Sequence, residues 1–280
     1  MSAWNLIIDV AKCEGCNNCL LACKDEHVGN AWLPYTHPQQ LHGDHWISIP
    51  KQERGEFPLI DVAYRPTPCM HCDAPACSRA VPGAIVKRAD GIVLIDQDKA
   101  KGRKELVAAC PYGAIQWNED LQVPQKCTLC AHLLDDGWSA PRCVQSCPTG
   151  ALRIVKTGNG AAPPPADGLE ALHPEFNTRP SVRYANLYKY TACFVAGSVS
   201  KRSDGVEDCL KGACVRLYRD AAQIAETTTD AFGDFRFDRL DRGTSGLSIK
   251  VTAAGFVDHD QPVDSLSESV TCSIVLRARS

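Results

Sequence analysis

Four thiols open the chain at Cys13, Cys16, Cys19 and Cys23, with the spacing C-x2-C-x2-C-x3-C. In such a run three closely spaced thiolates wrap one [4Fe-4S] cube while the fourth reaches a different cube. Two further runs follow, Cys69-x2-Cys72-x4-Cys77 and Cys127-x2-Cys130-x12-Cys143-x3-Cys147-Pro148, with an isolated Cys110-Pro111 between them. With Cys110 as the fourth ligand of a run, its three partners would fall at Ala100, Arg103 and Leu106, none of which binds iron. The second run has the complementary gap, because Val81-Pro82 stands where a Cys-Pro pair is expected.

The two defects become one when each cube takes three thiolates from one run and the fourth from a paired run, as in two-cluster ferredoxins. Pairing the first run with the last, and the second with the third, sorts twelve thiols without remainder. The first set is Cys13, Cys16, Cys19 and Cys147; the second is Cys23, Cys127, Cys130 and Cys143; the third is Cys69, Cys72, Cys77 and Cys110. The four missing thiols, at Val81, Ala100, Arg103 and Leu106, would all have served one further cube. The spacing therefore predicts three [4Fe-4S] clusters and one filled-in fourth place. A zinc-stabilised binding module is the rival reading of C-x2-C pairs. Zinc, however, draws its ligands in pairs from two knuckles, which leaves a third cysteine at short spacing surplus.

Met70, His71, Lys126 and His132 stand beside ligands. Hydrogen bonds and charge near cluster sulfurs shift reduction potential, which is one role open to them. Facing solvent or a neighbouring subunit is the other.

The elements that must position these thiols are short. Trp4 to Val10 reads as a strand running into the first cysteine run. Ala84–Arg88 and Gly91–Asp96 read as a hairpin, and strands at Ala114–Trp117 and Ala151–Val155 follow the two Cys-Pro corners. The expected architecture is α+β: two nested ferredoxin-like modules over residues 1–156, interrupted by an insertion lobe at 24–68. That lobe holds Trp32, Tyr35, Trp46, His37, His42 and His45, and reads as a surface lobe or as an interface for a partner subunit. A Pro- and Gly-rich linker and return segment is expected at 157–190. Residues 191–280 alternate apolar and polar positions between turns, which predicts a small all-β sandwich of immunoglobulin or transthyretin type. Its Cys193, Cys209, Cys214 and Cys272 lack cluster spacing and are expected to be mostly buried free thiols.

Composition bounds the rest. The 280 residues are 44% hydrophobic and 22% charged with a net charge of -3, which suggests no polyanion-binding face, makes nucleic acid a poor first guess and is normal for a soluble globular protein. Sixteen cysteines at ligand spacing in so long a chain favour a reducing compartment over a disulfide scaffold. There is no basic and apolar leader before Lys12 and no apolar stretch of the roughly 18 residues that span a bilayer. The expectation is a cytoplasmic chain without a membrane span; export alongside a signal-bearing partner stays open.

The four runs and their pairing resemble the iron–sulfur subunits of the dimethyl sulfoxide reductase family of molybdenum and tungsten enzymes, over roughly Ile7 to Val155. Within that family, Arg65–Cys72, Asp90–Asp96 and Gln125–Asp136 are similar to segments of small subunits that serve hydroxylases and transhydroxylases of phenolic rings. The resemblance implies an electron-transfer subunit with no catalytic residue of its own. It further implies a large partner holding a molybdenum or tungsten pterin, with the Cys13, Cys16, Cys19 and Cys147 cluster nearest that pterin. The filled fourth place corresponds to the far end of the wire in membrane-bound relatives, so the resemblance implies no membrane-anchor subunit. The same wire in an oxyanion reductase or a formate dehydrogenase, and a free-standing polyferredoxin, are the other readings.

Overall fold

The computed structural model describes residues 3–158, 168–203 and 205–279. Contacts divide the chain into two units, Met1–Lys51 with Ala63–Leu187, and Gln52–Val62 with Tyr188–Ser280. The prolines expected within the linker, in residues 159–167, lie outside the described residues.

In the first unit the strand Ala3–Asp9 is mostly apolar and buried on both faces, its polar Asn5 and Asp9 included, as befits the interior of a sheet. It pairs antiparallel with Leu152–Thr157, from Ala3 opposite Thr157 to Ile8 opposite Leu152. On its other side it pairs parallel with Val182–Ala185, and Leu169–Glu170 completes the sheet. The strand before the first cysteine run thus lies beside the strand after the last, and both runs leave the same sheet. Ile85–Lys87 pairs with Val93–Ile95 as expected, whereas Gln116–Asn118 gains an unforeseen partner in Val123–Gln125.

Two findings add detail to the expected division. The 157–190 linker and return segment supplies two strands, Leu169–Glu170 and Val182–Ala185. Val182 and Tyr184 alternate into the core at 1% and 0% exposure, a signal hidden by the prolines and glycines before them. The 24–68 lobe is also divided between the units. Residues Gln52–Val62 belong with the second, where the buried Arg54 guanidinium bonds to Asp61 and Asp238 and lies over the Phe194 ring. A buried charge is tolerated only when paired in this way.

The second unit has two four-stranded sheets. Cys193–Ser203 pairs with Val206–Cys209 and Asp234–Leu240, and in parallel with Val270–Leu276. The other sheet orders Ala222–Thr228, Cys214–Arg219, Leu247–Thr252 and His259–Val263. The inward residues of both, such as Val195, Phe235 and Ile274 against Val215, Leu217 and Ile249, form one apolar core. Cys193, Cys209, Cys214 and Cys272 are free; Cys193 is fully buried and Cys209 exposed.

Candidate metal centre

The helix Asn18–His27 follows a left-handed turn at Gly15 and Asn17. At Gly15 the φ of 67° and the Tyr64 ring, only 2.6 Å from where a Cβ would stand, leave no room for a side chain. Cys19 and Cys23 lie four residues apart, hence on one face of this helix, and both are buried. The helix Arg142–Gln145 carries Cys143, ends just before Cys147, and packs against the first helix. Arg142 reaches Glu26 at 3.2 Å, Glu26 reaches His132 at 3.1 Å, and Ser146 Oγ donates to the Asn18 carbonyl at 3.3 Å. The first and last runs are clamped together.

The twelve thiols fall into three neighbourhoods. Burial, then the negative charge of Cys147 and Cys16, raises the pKa of the Cys13 thiol. Cys19 is pushed up to about 11 by burial, with Cys13, Cys147 and Cys16 adding to it. Cys147 departs from this pattern: burial opposes its ionisation, yet contacts from Leu152, Thr149 and Ala151 outweigh burial and lower its pKa. A second neighbourhood joins Cys23, Cys127, Cys130 and Cys143, which share one pocket lined also by His27, Trp46 and Leu129. Burial drives the Cys23 and Cys143 thiols well above their ordinary value. The third joins Cys69, Cys72, Cys77 and Cys110 around a pocket with Met70, Val93, Ile115, Lys126 and Thr178. There burial pushes Cys72 up to about 12 and Cys77 up to about 11.

The second neighbourhood adjoins the other two. Cys143 feels Cys19 of the first, and Cys127 feels Cys69 of the third. Exposure falls inward from the first, where Cys16 is exposed, to the second, where all four thiols are buried.

Such pockets suit a cationic inorganic core. Buried thiols crowded by other thiols resist ionisation in isolation, and bound metal is what makes thiolates favourable there. Backbone N–H groups already point at sulfur, Leu129 to Cys127 at 3.3 Å and Ala114 to Cys110 at 3.4 Å. Among the described residues, no three His, Cys, Asp or Glu side chains close around a single ion. The thiols of the second and third sets line pockets.

The fourth place is filled. Val81, Ala100 and Leu106, at 3%, 0% and 0% exposure, pack with Ala84, Ile95 and Ile115 into one apolar cluster. Arg103 does not join them; it is exposed and paired with Glu105 at 2.6 Å.

Of the residues beside ligands, Met70, His71, Lys126 and His132 are all buried, which corrects the solvent-facing reading. His71 Nδ1 accepts from the Val93 N–H at 3.0 Å. The lobe aromatics turn inward too: Trp46 is 2% exposed against His27, and Trp32 stacks on His132 at 4.3 Å between centroids. His42 and His45 stay exposed. Sequence reading missed His27, although its i+4 spacing from Cys23 was a usable signal. It also missed Thr178 and Tyr112, whose hydroxyls meet at 2.6 Å beside the third set. Thr178 comes from a distant segment that carries no motif.

A family profile described as a 4Fe-4S dicluster domain matches residues 60–157. The small subunit of pyrogallol hydroxytransferase from Pelobacter acidigallici is 43% identical over 263 residues, spanning 92% of this chain and 94% of that one. The chain belongs to this small-subunit family. It is a 4Fe-4S electron-transfer subunit of the oxidoreductases related to dimethyl sulfoxide reductase. More distant members align over about half of it. An iron-sulfur protein of Halobacterium salinarum, ascribed to a dimethyl sulfoxide reductase, is 35% identical over 54% of this chain and 65% of its own. The iron-sulfur subunit of the nitrate-inducible formate dehydrogenase of Escherichia coli is 33% identical over 53% of this chain and 52% of its own. Among the described residues, no helix is long and apolar enough to cross a membrane.

Proposed function

We propose that the chain carries three [4Fe-4S] clusters and serves a large molybdenum- or tungsten-pterin subunit that hydroxylates or transhydroxylates phenolic compounds without oxygen. Cys13, Cys16, Cys19 and Cys147 would hold the first, Cys23, Cys127, Cys130 and Cys143 the second, and Cys69, Cys72, Cys77 and Cys110 the third. The clusters supply one-electron transfer. The protein's own part is to hold three thiol cages side by side, to keep the second, whose four thiols are all buried, dry, and to leave the first near the surface at Cys16 for the partner. The pairing of Ala3–Asp9 with Leu152–Thr157 supports the nested ferredoxin reading. The two sheets around one core support the immunoglobulin- or transthyretin-like reading of the second unit.

One observation carries the proposal: twelve thiols from four separated segments gather into three groups of four, while the residues at the missing fourth set fill their space with hydrocarbon. For the choice of chemistry, the pyrogallol hydroxytransferase relative aligns through both units, whereas the relatives that serve sulfoxide and formate chemistry align over about half of the chain. The test is anaerobic co-purification with the large subunit, followed by iron analysis and assay of phenol hydroxylation against oxyanion reduction and formate oxidation. About twelve irons per chain and activity on phenols support the reading. About sixteen irons, or activity only on an oxyanion or formate, overturns it.

A further inference from the structure

Lys126 is 3% exposed, and among the described residues its ammonium pairs with no carboxylate. It donates to the carbonyl oxygens of Val93 and Cys127, the latter at 3.0 Å, and it lines the pocket of the third thiol set. Two carbonyl dipoles do not neutralise a cation, and a buried charge without a counter-charge is costly. Val93 is itself tied to the third loop, because its N–H donates to His71 between Cys69 and Cys72. The ammonium is therefore held by the hairpin Ile85–Lys87 and Val93–Ile95 on one side and by the run beginning at Cys127 on the other. Its charge acts on Cys77 and Cys110 of the third set and on Cys127 of the second.

We infer that Lys126 is the built-in counter-charge of the third cluster site and, more weakly, of the second, holding their reduction potentials above what the thiolate cages alone would set. This inference rests on the three-cluster reading above. Reduction adds an electron to an already anionic cage, and a fixed cation in a dry surrounding stabilises the reduced state more than the oxidised one. A first cluster held by Cys13, Cys16, Cys19 and Cys147 adjoins the second set through Cys19 and Cys143, whereas Lys126 lines the pocket of the third, so the first is the least affected. Lys126 in this role is a positioning residue that acts on potential and touches no substrate.

The test is a potentiometric titration followed by electron paramagnetic resonance on the anaerobically purified complex, for the parent, Lys126→Met and Lys126→Arg, with Cys110→Ala identifying the third signal. The parent's iron content tests the three-cluster reading separately. Lys126→Met is expected to move the third midpoint to more negative potential, the second by less and the first least, and Lys126→Arg to restore most of the shift. A fully loaded Lys126→Met with three unmoved midpoints overturns the inference, as does an equal shift at all three or a shift as large in Lys126→Arg. Where Lys126→Met fails to load the third cluster, loading by Lys126→Arg supports the charge role and failure by both overturns it.

Discussion

Two neighbouring places in the first unit end in opposite ways. Around Cys69, Cys72, Cys77 and Cys110 the side chains line a pocket. Around Val81, Ala100 and Leu106 they meet, and almost nothing is exposed. Ile115 belongs to both, lining the pocket with one part of its surface and the apolar cluster with another. The hydrocarbon cluster is stabilised by its own burial, at about 0.8 kcal/mol per buried methylene. The thiol pocket has no such closure. Burial disfavours the ionised state of the very groups that line it. One place is complete in polypeptide; the other, on the proposed assignment, is completed by an inorganic core.

The contrast is broken or sharpened most forcefully by taking the iron away. Anaerobic chelation is expected to cost amide protection in 69–77 and 127–130 by about a hundredfold or more, before Ala100 and Leu106 open, because metal binding and folding are one free energy at such sites. Hydrogen exchange read residue by residue checks this. Simultaneous opening of both places would erase the distinction.

Removing one ligand is the next largest perturbation. Cys110→Ala is expected to leave about eight irons of about twelve, with the signals of the first two clusters intact. Iron analysis with paramagnetic resonance decides it, and loss of every cluster would mean that the thiol sets are not separate.

On the hydrocarbon side the loss should be mechanical. Leu106→Ala leaves a cavity in a site at 0% exposure and should cost about 2–5 kcal/mol of unfolding free energy, with iron per chain unchanged. Denaturant midpoints and metal analysis on the same sample measure both; coupled loss of iron would show that the two places are not independent.

The smallest effect belongs to the hairpin that supplies Ile95. Its neighbour Arg88 forks onto Asp135 at 2.6 and 2.7 Å, and Asp135 also accepts from Tyr35. The Arg88 hydrogen bonds, with Tyr35 assisting, hold the Asp135 carboxyl down at about 2. A carboxyl lowered by folding contributes stability above its unfolded value, about 3.9, and that stability disappears as pH falls through about 2. Asp135→Asn should therefore cost about 1 kcal/mol or less at neutral pH, the scale of an exposed pair, and nothing below pH 2. Acid denaturation profiles of parent and variant compare the two.

Sequence showed most of this site because cluster ligands obey local spacing. Cys13 to Cys23 can be read without any fold, and the gaps at Val81, Ala100 and Leu106 share one missing partner set. Arg103 reads otherwise in three dimensions because its side chain is long enough to leave the apolar cluster and find Glu105 in solvent. What spacing does not encode is what arrives from far along the chain. Thr178 reaches the third set because Ala74 donates to its carbonyl at 3.0 Å and Asp73 to that of Arg179 at 2.9 Å, bonds that belong to backbone and carry no residue signature. The strands Leu169–Glu170 and Val182–Ala185 were hidden for the same reason, being too short to show a period beside a run of prolines. In the second unit, strands with alternating burial such as Leu247–Thr252 were legible, while the exposed Val206–Cys209 was not.

The pairing of Ala3–Asp9 with Leu152–Thr157 bears on biogenesis. The thiols of the third set all lie within a single stretch that emerges early from the ribosome. On the proposed assignment the first two sets are completed only once Cys143 and Cys147 have been synthesised, so loading of those two sites would wait until about half of the chain has been made.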